Sequence, residues 1–174
     1  MPMASPPPLV IVLMGVSGSG KSTAGAALSR ALGWPFRDAD SFHPPANVEK
    51  MSRGTPLTDE DRWPWLAAIA QWVDERRASG EPGIVSCSAL KRAYRDRIIG
   101  PRNRVQLVYL DGNQDLIGQR LQARKGHFMP PALLDSQFKT LEEPGPDERP
   151  IVVDVAPNPV ALVAAIVGEL AKRD

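Results

Sequence analysis

Residues 15–22, GVSGSGKS, constrain this chain more than any other stretch. They place three glycines, a lysine and a closing serine directly behind an apolar, β-branched run at residues 9–14. The pattern G-x-x-x-x-G-K-[ST] after a strand is a phosphate cradle with a mechanism. Gly15, Gly18 and Gly20 open backbone conformations closed to other residues, so successive N–H groups around Ser17 and Ser19 can turn inward on phosphate oxygens. The helical pattern that follows adds its positive N-terminal end. In such a cradle Lys21 bridges the β- and γ-phosphates of ATP and the Ser22 hydroxyl ligates the accompanying Mg2+, with Thr23 supporting the site from the first helical turn.

What surrounds the motif narrows the class. A length of 174 residues is that of one ordinary domain, and 43% hydrophobic with 24% charged residues matches a soluble globular protein. Lys and Arg number 21 against 20 for Asp and Glu, so no global field collects nucleic acid or anionic lipid, and any anion must be held locally. The single cysteine, Cys87, excludes an intramolecular disulfide and points to a cytoplasmic protein. Residues 1–8 are proline-rich without the basic residues of a signal peptide and read as a frayed tail; the apolar run at 9–14 is far too short to span a membrane.

Apolar, β-branched runs recur at residues 84–85, 105–110 and 151–155, and a weaker one at 34–37 ends at Asp38. Helical patterns lie between them, at about 22–32, 61–78, 91–99, 114–124 and 159–171, with Asp61 as a cap and Pro64 in the first turn. Alternating strand and helix predicts an α/β domain over residues 9–174: a parallel sheet with helices on both faces. Two inserts break the alternation, the polar, Pro-containing stretch 43–59 and the stretch 125–134 around His127 and Pro130-Pro131, and such inserts are expected to be functional loops or lids. The charged stretch 142–150 reads as a surface connection.

Asp38-Ala39-Asp40 puts two carboxylates at the carboxyl edge of the expected sheet, beside the phosphate loop. Asp38 is placed to serve magnesium through water, and Asp40 to orient or deprotonate an acceptor hydroxyl. The third strand runs into Ser86-Cys87-Ser88-Ala89-Leu90-Lys91 without an acidic metal ligand, which gives Asp38 more weight; Cys87 reads as a small buried residue. Lys91 and Arg95, four apart on one helix, can converge on one anion. With only His43 and His127 as histidines, no zinc pattern exists.

Five stretches together resemble the gluconokinase family of P-loop small-molecule kinases: GVSGSGKS, DADSFHPPANVEKMSRGTPLTDEDRWPWL, SCSALKRAYRDRI, YLDGNQDLIGQRLQARKGHFMPPALLDSQFKTLEEP and DVAPNPVALV. They cover most of residues 9–165, and the second and fourth are far more specific than the phosphate loop. The one departure is Ala39, where the family commonly has glycine. The resemblance implies a fold similar to nucleoside monophosphate and shikimate kinases, with a five-stranded parallel sheet, a substrate arm at about 41–62 and a lid at about 125–135. It further implies transfer of the ATP γ-phosphoryl to gluconate, giving 6-phosphogluconate, and a possible homodimer. The sugar acid needs cations and hydrogen-bonding groups; His43, Asn47, Lys50 and Arg53 in the arm, with Lys91 and Arg95, are its candidate contacts. In related folds arginines before the lid contact the nucleotide, which makes Arg120 the adenine partner and Arg124 the phosphate partner, with residues 154–159 along the adenine edge. The rival expectations are another small-molecule kinase on the same scaffold and a non-enzymatic nucleotide switch.

Overall fold

Val10–Met14 forms the central strand, β1, and every one of its side chains is buried. The computed structural model describes residues 7–16, 18–55, 57–123 and 131–172. After β1 come α1 (Lys21–Leu32), β2 (Phe36–Asp38), α2 (Pro45–Ser52), α3 (Asp59–Ser79), β3 (Gly83–Ser86), α4 (Arg92–Ile98), β4 (Val105–Asp111), α5 (Gln114–Ala123), α6 (Pro131–Thr140), β5 (Ile151–Asp154) and α7 (Pro159–Ala171). The five strands make one parallel sheet in the order β2-β3-β1-β4-β5.

A strand covered on both faces has no polar side, which is why β1 reads as an unbroken apolar run. Val10, Val12 and Met14 face Trp65, Leu66, Ile69 and Val73 of α3 and Tyr94 and Ile98 of α4. Ile11 and Leu13 face Ala24 and Leu28 of α1 and Leu162, Val163 and Ile166 of α7. Each large aliphatic side chain buried in this way contributes roughly 1.5–3 kcal/mol. Glycine at position 25 lets α1 approach the sheet edge: a Cβ there would lie 2.3 Å from the Phe36 ring. The chain leaves β1 for one edge of the sheet, then crosses back after β3 to build the other. The carboxyl ends of the strands at this reversal form the crevice where open α/β sheets bind ligands.

The expected strands and five expected helices are all present, with boundaries shifted by a few residues. The structure adds detail to four local expectations, three of which need correction. The arm holds a helix, α2, where a loop was expected: it opens with Pro45 at a position that needs no N–H, and it buries only Asn47, so it has no apolar stripe to announce it. Residues 131–135 of the expected lid belong to α6, whose Leu134 and Phe138 pack with Val16, Leu90, Ile117 and Leu121. The remainder of that lid, 125–130, lies outside the described residues. Helix α3 is capped by Thr58, not Asp61: the Asp61 N–H donates to Thr58 Oγ1 at 3.1 Å while the Thr58 N–H donates to Asp61 Oδ2 at 2.9 Å, a reciprocal box that moves Pro64 into the helix interior. Finally, the 142–150 stretch is not a mere surface connection. The Glu142 carboxylate accepts the Arg92 N–H at 3.0 Å, and Glu148 turns inward to a buried arginine.

Candidate active site

Between β1 and α1 the chain makes a tight loop that only glycine permits at three points. Gly18 and Gly20 have φ of +81° and +94°. At Gly15 a Cβ would sit 2.6 Å from Ser19 Oγ and 3.1 Å from the Leu110 carbonyl. Gly20 is the N-cap of α1 and brings no side-chain acceptor, and the first turn has no acidic residue, so the positive helix end stays available to an anion. Ser19 Oγ is buried and finds no partner among the described residues. Ser17 lies outside them. Lys21 arches back over the loop and donates to the carbonyls of Gly15 at 2.8 Å and Val16 at 3.0 Å. Burial pulls its pKa down to about 8, with Cys87, Asp38 and Asp40 pulling the other way. A lysine so poorly solvated gains strongly from a phosphate.

The acidic pair lies beside this loop. Asp38 ends β2 and caps the short turn Ala39–Phe42: its Oδ1 accepts the Asp40 N–H at 2.9 Å, and its Oδ2 accepts the Ser22 hydroxyl, also at 2.9 Å. Asp40 is exposed within that turn, so the two carboxylates are separated by a bend and not by strand alternation. Ser22 and Asp38 together offer two hard oxygen donors next to the phosphate loop. That set suits a magnesium ion which keeps several waters and takes its other ligands from phosphates. No group of three or more potential metal-ligating side chains occurs among the described residues. Cys87 is buried, and burial pushes its thiol up to about 12, which leaves it packing and not nucleophilic.

The arm closes the other side. His43 stacks on Trp65, ring centroids 4.4 Å apart and planes within 11°, and Trp65 Nε1 donates to the Ala39 carbonyl at 2.7 Å. Asn47 is buried and donates to the Asp61 carbonyl at 2.8 Å and toward His43 Nδ1 at 3.3 Å. Lys50 holds both Asp61 oxygens at 2.8 and 2.9 Å, and with the Thr58 N–H it brings the Asp61 carboxyl down to about 2. At the head of α3, Asp59 collects Tyr94 at 2.5 Å, Lys91 at 3.5 Å and Arg62 at 3.7 Å, and chiefly through Tyr94 its pKa lies below the ordinary carboxylate value.

Comparison with known proteins decides the family. A family model described as an AAA domain matches residues 10–144. The chain is 45% identical to a gluconokinase of Gluconobacter oxydans over 96% of its own length and 94% of the relative's, and 42% identical to the thermoresistant gluconokinase of Escherichia coli, covering 94% of each. The chain belongs to the gluconokinase family. A crystal structure of a gluconokinase from Sinorhizobium meliloti superposes with a TM-score of 0.83 at 48% identity, covering 98% of this chain and 94% of that one. Shikimate kinase from Aquifex aeolicus, at 18% identity, 94% and 96% coverage and a TM-score of 0.60, shares the fold alone.

Set against the gluconokinase site expected from the sequence, the structure brings Lys21, Ser22, Asp38 and Asp40 together, with exposed Thr23 next to Ser22 on α1. It also gathers His43, Asn47 and Lys50 in one arm. Arg53 is exposed and pairs with Glu49 at 3.8 Å on the outside of α2. The convergence of Lys91 and Arg95 is not found. Lys91 reaches Asp59, whereas Arg95 is 2% exposed and spent on Glu148 at 2.7 and 3.2 Å and on the carbonyls of Ala89 and Leu90. Helical spacing aligned the two positions, but Lys91 is the non-helical N-cap residue of α4, so the four-residue rule does not apply. Arg120 donates to the Ala156 carbonyl at 3.1 Å, which joins α5 to the expected adenine-edge segment. Arg124 lies outside the described residues. The sequence reading passed over Asp59 and Tyr94, and it treated Arg62 only as the end of the arm. The signal available was the run Asp59-Glu60-Asp61-Arg62, which composition alone makes a solvated helix start.

Proposed function

We propose that this chain transfers the γ-phosphoryl group of ATP to the terminal hydroxyl of gluconate, giving 6-phosphogluconate and ADP. The reading is carried by the convergence of Lys21, Ser22, Asp38 and Asp40 at one sheet edge in a chain 45% identical to a gluconokinase over nearly its full length. Lys21 exchanges two neutral carbonyls for charged phosphate oxygens, and the N-terminal turn of α1 receives the β-phosphate. Ser22 and Asp38 are the residues that would hold Mg2+, which would supply neutralisation of phosphate charge there. Asp40 accepts the hydrogen of the attacking hydroxyl and aligns it for in-line transfer. Arg62 and Lys91, both fixed by Asp59, supply the cations for the sugar-acid carboxylate. Arg62 and Asp40 both lie close enough to His43 to act on its charge, which puts Arg62 on the same side of the site as the acidic pair.

Arg120 and the segment around Ala156 frame the adenine. No helix among the described residues is long and apolar enough to cross a membrane; the cytoplasmic location we propose rests on the single cysteine, which allows no intramolecular disulfide. The test is ADP release with ATP and magnesium across a panel of gluconate, shikimate and nucleoside monophosphates. Turnover with gluconate far above the others is expected. Preference for shikimate or a nucleotide would replace the substrate, and slow acceptor-independent hydrolysis would favour a nucleotide switch.

A further inference from the structure

Two hydrogen bonds made by one buried amide fix the chemistry of His43. Asn47 is 4% exposed, and the side-chain atom 2.8 Å from the Asp61 backbone carbonyl must be its nitrogen, because a carbonyl only accepts. The usual ambiguity of an asparagine amide is thereby removed. The second hydrogen of the same nitrogen points to His43 Nδ1 at 3.3 Å, so Nδ1 is the acceptor, and in a neutral ring the hydrogen resides on Nε2. Trp65 holds the ring plane from one face, and Nε2 has no hydrogen-bond partner among the described residues. The charged groups facing the ring are Asp40, from the turn after β2, and Arg62 of α3. Burial, with Arg62, outweighs Asp40 and lowers the His43 pKa below its ordinary value, which favours the neutral ring.

We propose that Asn47 is a positioning residue that locks His43 as the neutral Nε2–H tautomer, so that His43 donates a hydrogen bond to an oxygen of the sugar acid next to Asp40 and does not act as a base. The proposal rests on the gluconate reading above. It divides the work at the acceptor: Asp40 only accepts and His43 only donates, so a hydroxyl lying between them has one orientation. A single tautomer makes that orientation obligatory, whereas a free imidazole would offer either polarity.

The test begins with two-bond 1H–15N correlation of the imidazole nitrogens in the whole protein at pH 7.5. The chain has two histidines, and a His127→Gln comparison assigns the His43 signals. A protonated Nε2 with an unprotonated Nδ1 is expected; protonated Nδ1, or an imidazolium, overturns the lock. In Asn47→Asp the neighbour can only accept, so the proton should move to Nδ1 or the ring should charge. The KM for gluconate should then rise about tenfold, the loss of one hydrogen bond, with the KM for ATP nearly unchanged. If that variant does not fold, His43→Gln and His43→Leu decide the donor role. Glutamine offers an amide N–H and should hold the gluconate KM within about threefold, and leucine should raise it about tenfold. An unchanged KM in His43→Leu refutes the donor role. The tautomer is read without any acceptor present, so a different preferred substrate in the panel would overturn the gluconate reading and leave this result standing.

Discussion

Replacing Glu148 with glutamine keeps the shape of a side chain that is 11% exposed and removes the only negative charge bonded to Arg95 among the described residues; Arg95 itself is 2% exposed. The remaining partners of Arg95 are the carbonyls of Ala89 at 2.9 Å and Leu90 at 3.2 Å, and these dipoles do not neutralise a guanidinium. Breaking a buried pair from one side costs about 3–5 kcal/mol, because the desolvation of the surviving charge is no longer offset. For a domain of this size each kcal/mol moves the midpoint by about 2–4 °C, so Glu148→Gln should melt about 6–20 °C lower. The double variant Arg95→Met with Glu148→Leu should recover most of the loss, since removing both charges removes the penalty.

Burial raises the Glu148 pKa, but the Arg95 hydrogen bonds and the Gly145 N–H outweigh it, and the net direction is down. A carboxyl with a depressed folded pKa contributes stability that is complete above its unfolded value and is lost as pH falls through the folded one. The gap between wild type and Glu148→Gln should therefore be full at pH 7 and narrow as the pH drops below about 4.3, the ordinary glutamate value. Thermal melts from pH 3 to 8 with a double-mutant cycle measure both effects. A midpoint loss under about 2 °C with coupling below about 1 kcal/mol would refute the buried-pair argument. Unchanged stability in Arg95→Met together with a raised gluconate KM would return Arg95 to the substrate site.

Lys21→Met should keep its fold by circular dichroism yet lose turnover by several orders of magnitude, because charge on the transferring phosphoryl group is left unneutralised; near-normal turnover would remove Lys21 from that role. Asp40→Asn should lower kcat far more than it weakens ATP binding, while Asp38→Asn, which disturbs the contact to Ser22, should raise the magnesium concentration needed for half-maximal rate. If Asp40→Asn altered only the ATP affinity, the acceptor assignment would fall. Thr58→Ala removes the side-chain half of the cap on α3 and should cost about 1 kcal/mol, read as a midpoint shift of about 2–4 °C with kcat preserved.

Much of the candidate site is legible in the sequence, because its parts are encoded by adjacent residues. A phosphate loop needs positive φ and close backbone approach within a few positions, and the glycines at 15, 18 and 20 write that requirement directly into the chain. Asp38 closes, and Asp40 follows, a strand that must end at the carboxyl edge of a parallel sheet. The arm was visible as a polar interruption, but its helix was not, since α2 leans on one buried asparagine and offers no apolar period.

Local sequence alone determined the alternation of strand and helix, the phosphate cradle and the two-faced burial of β1, since each depends on periodicity or backbone permission over a few consecutive residues. Tertiary structure alone decided the strand order β2-β3-β1-β4-β5 and the partner of each long polar side chain. Arg95 and Glu148 are 53 residues apart, and Tyr94 and Asp59 are 35 apart. Helical spacing sent Arg95 toward Lys91; packing sent it to Glu148, because a buried guanidinium must find a carboxylate wherever the fold brings one.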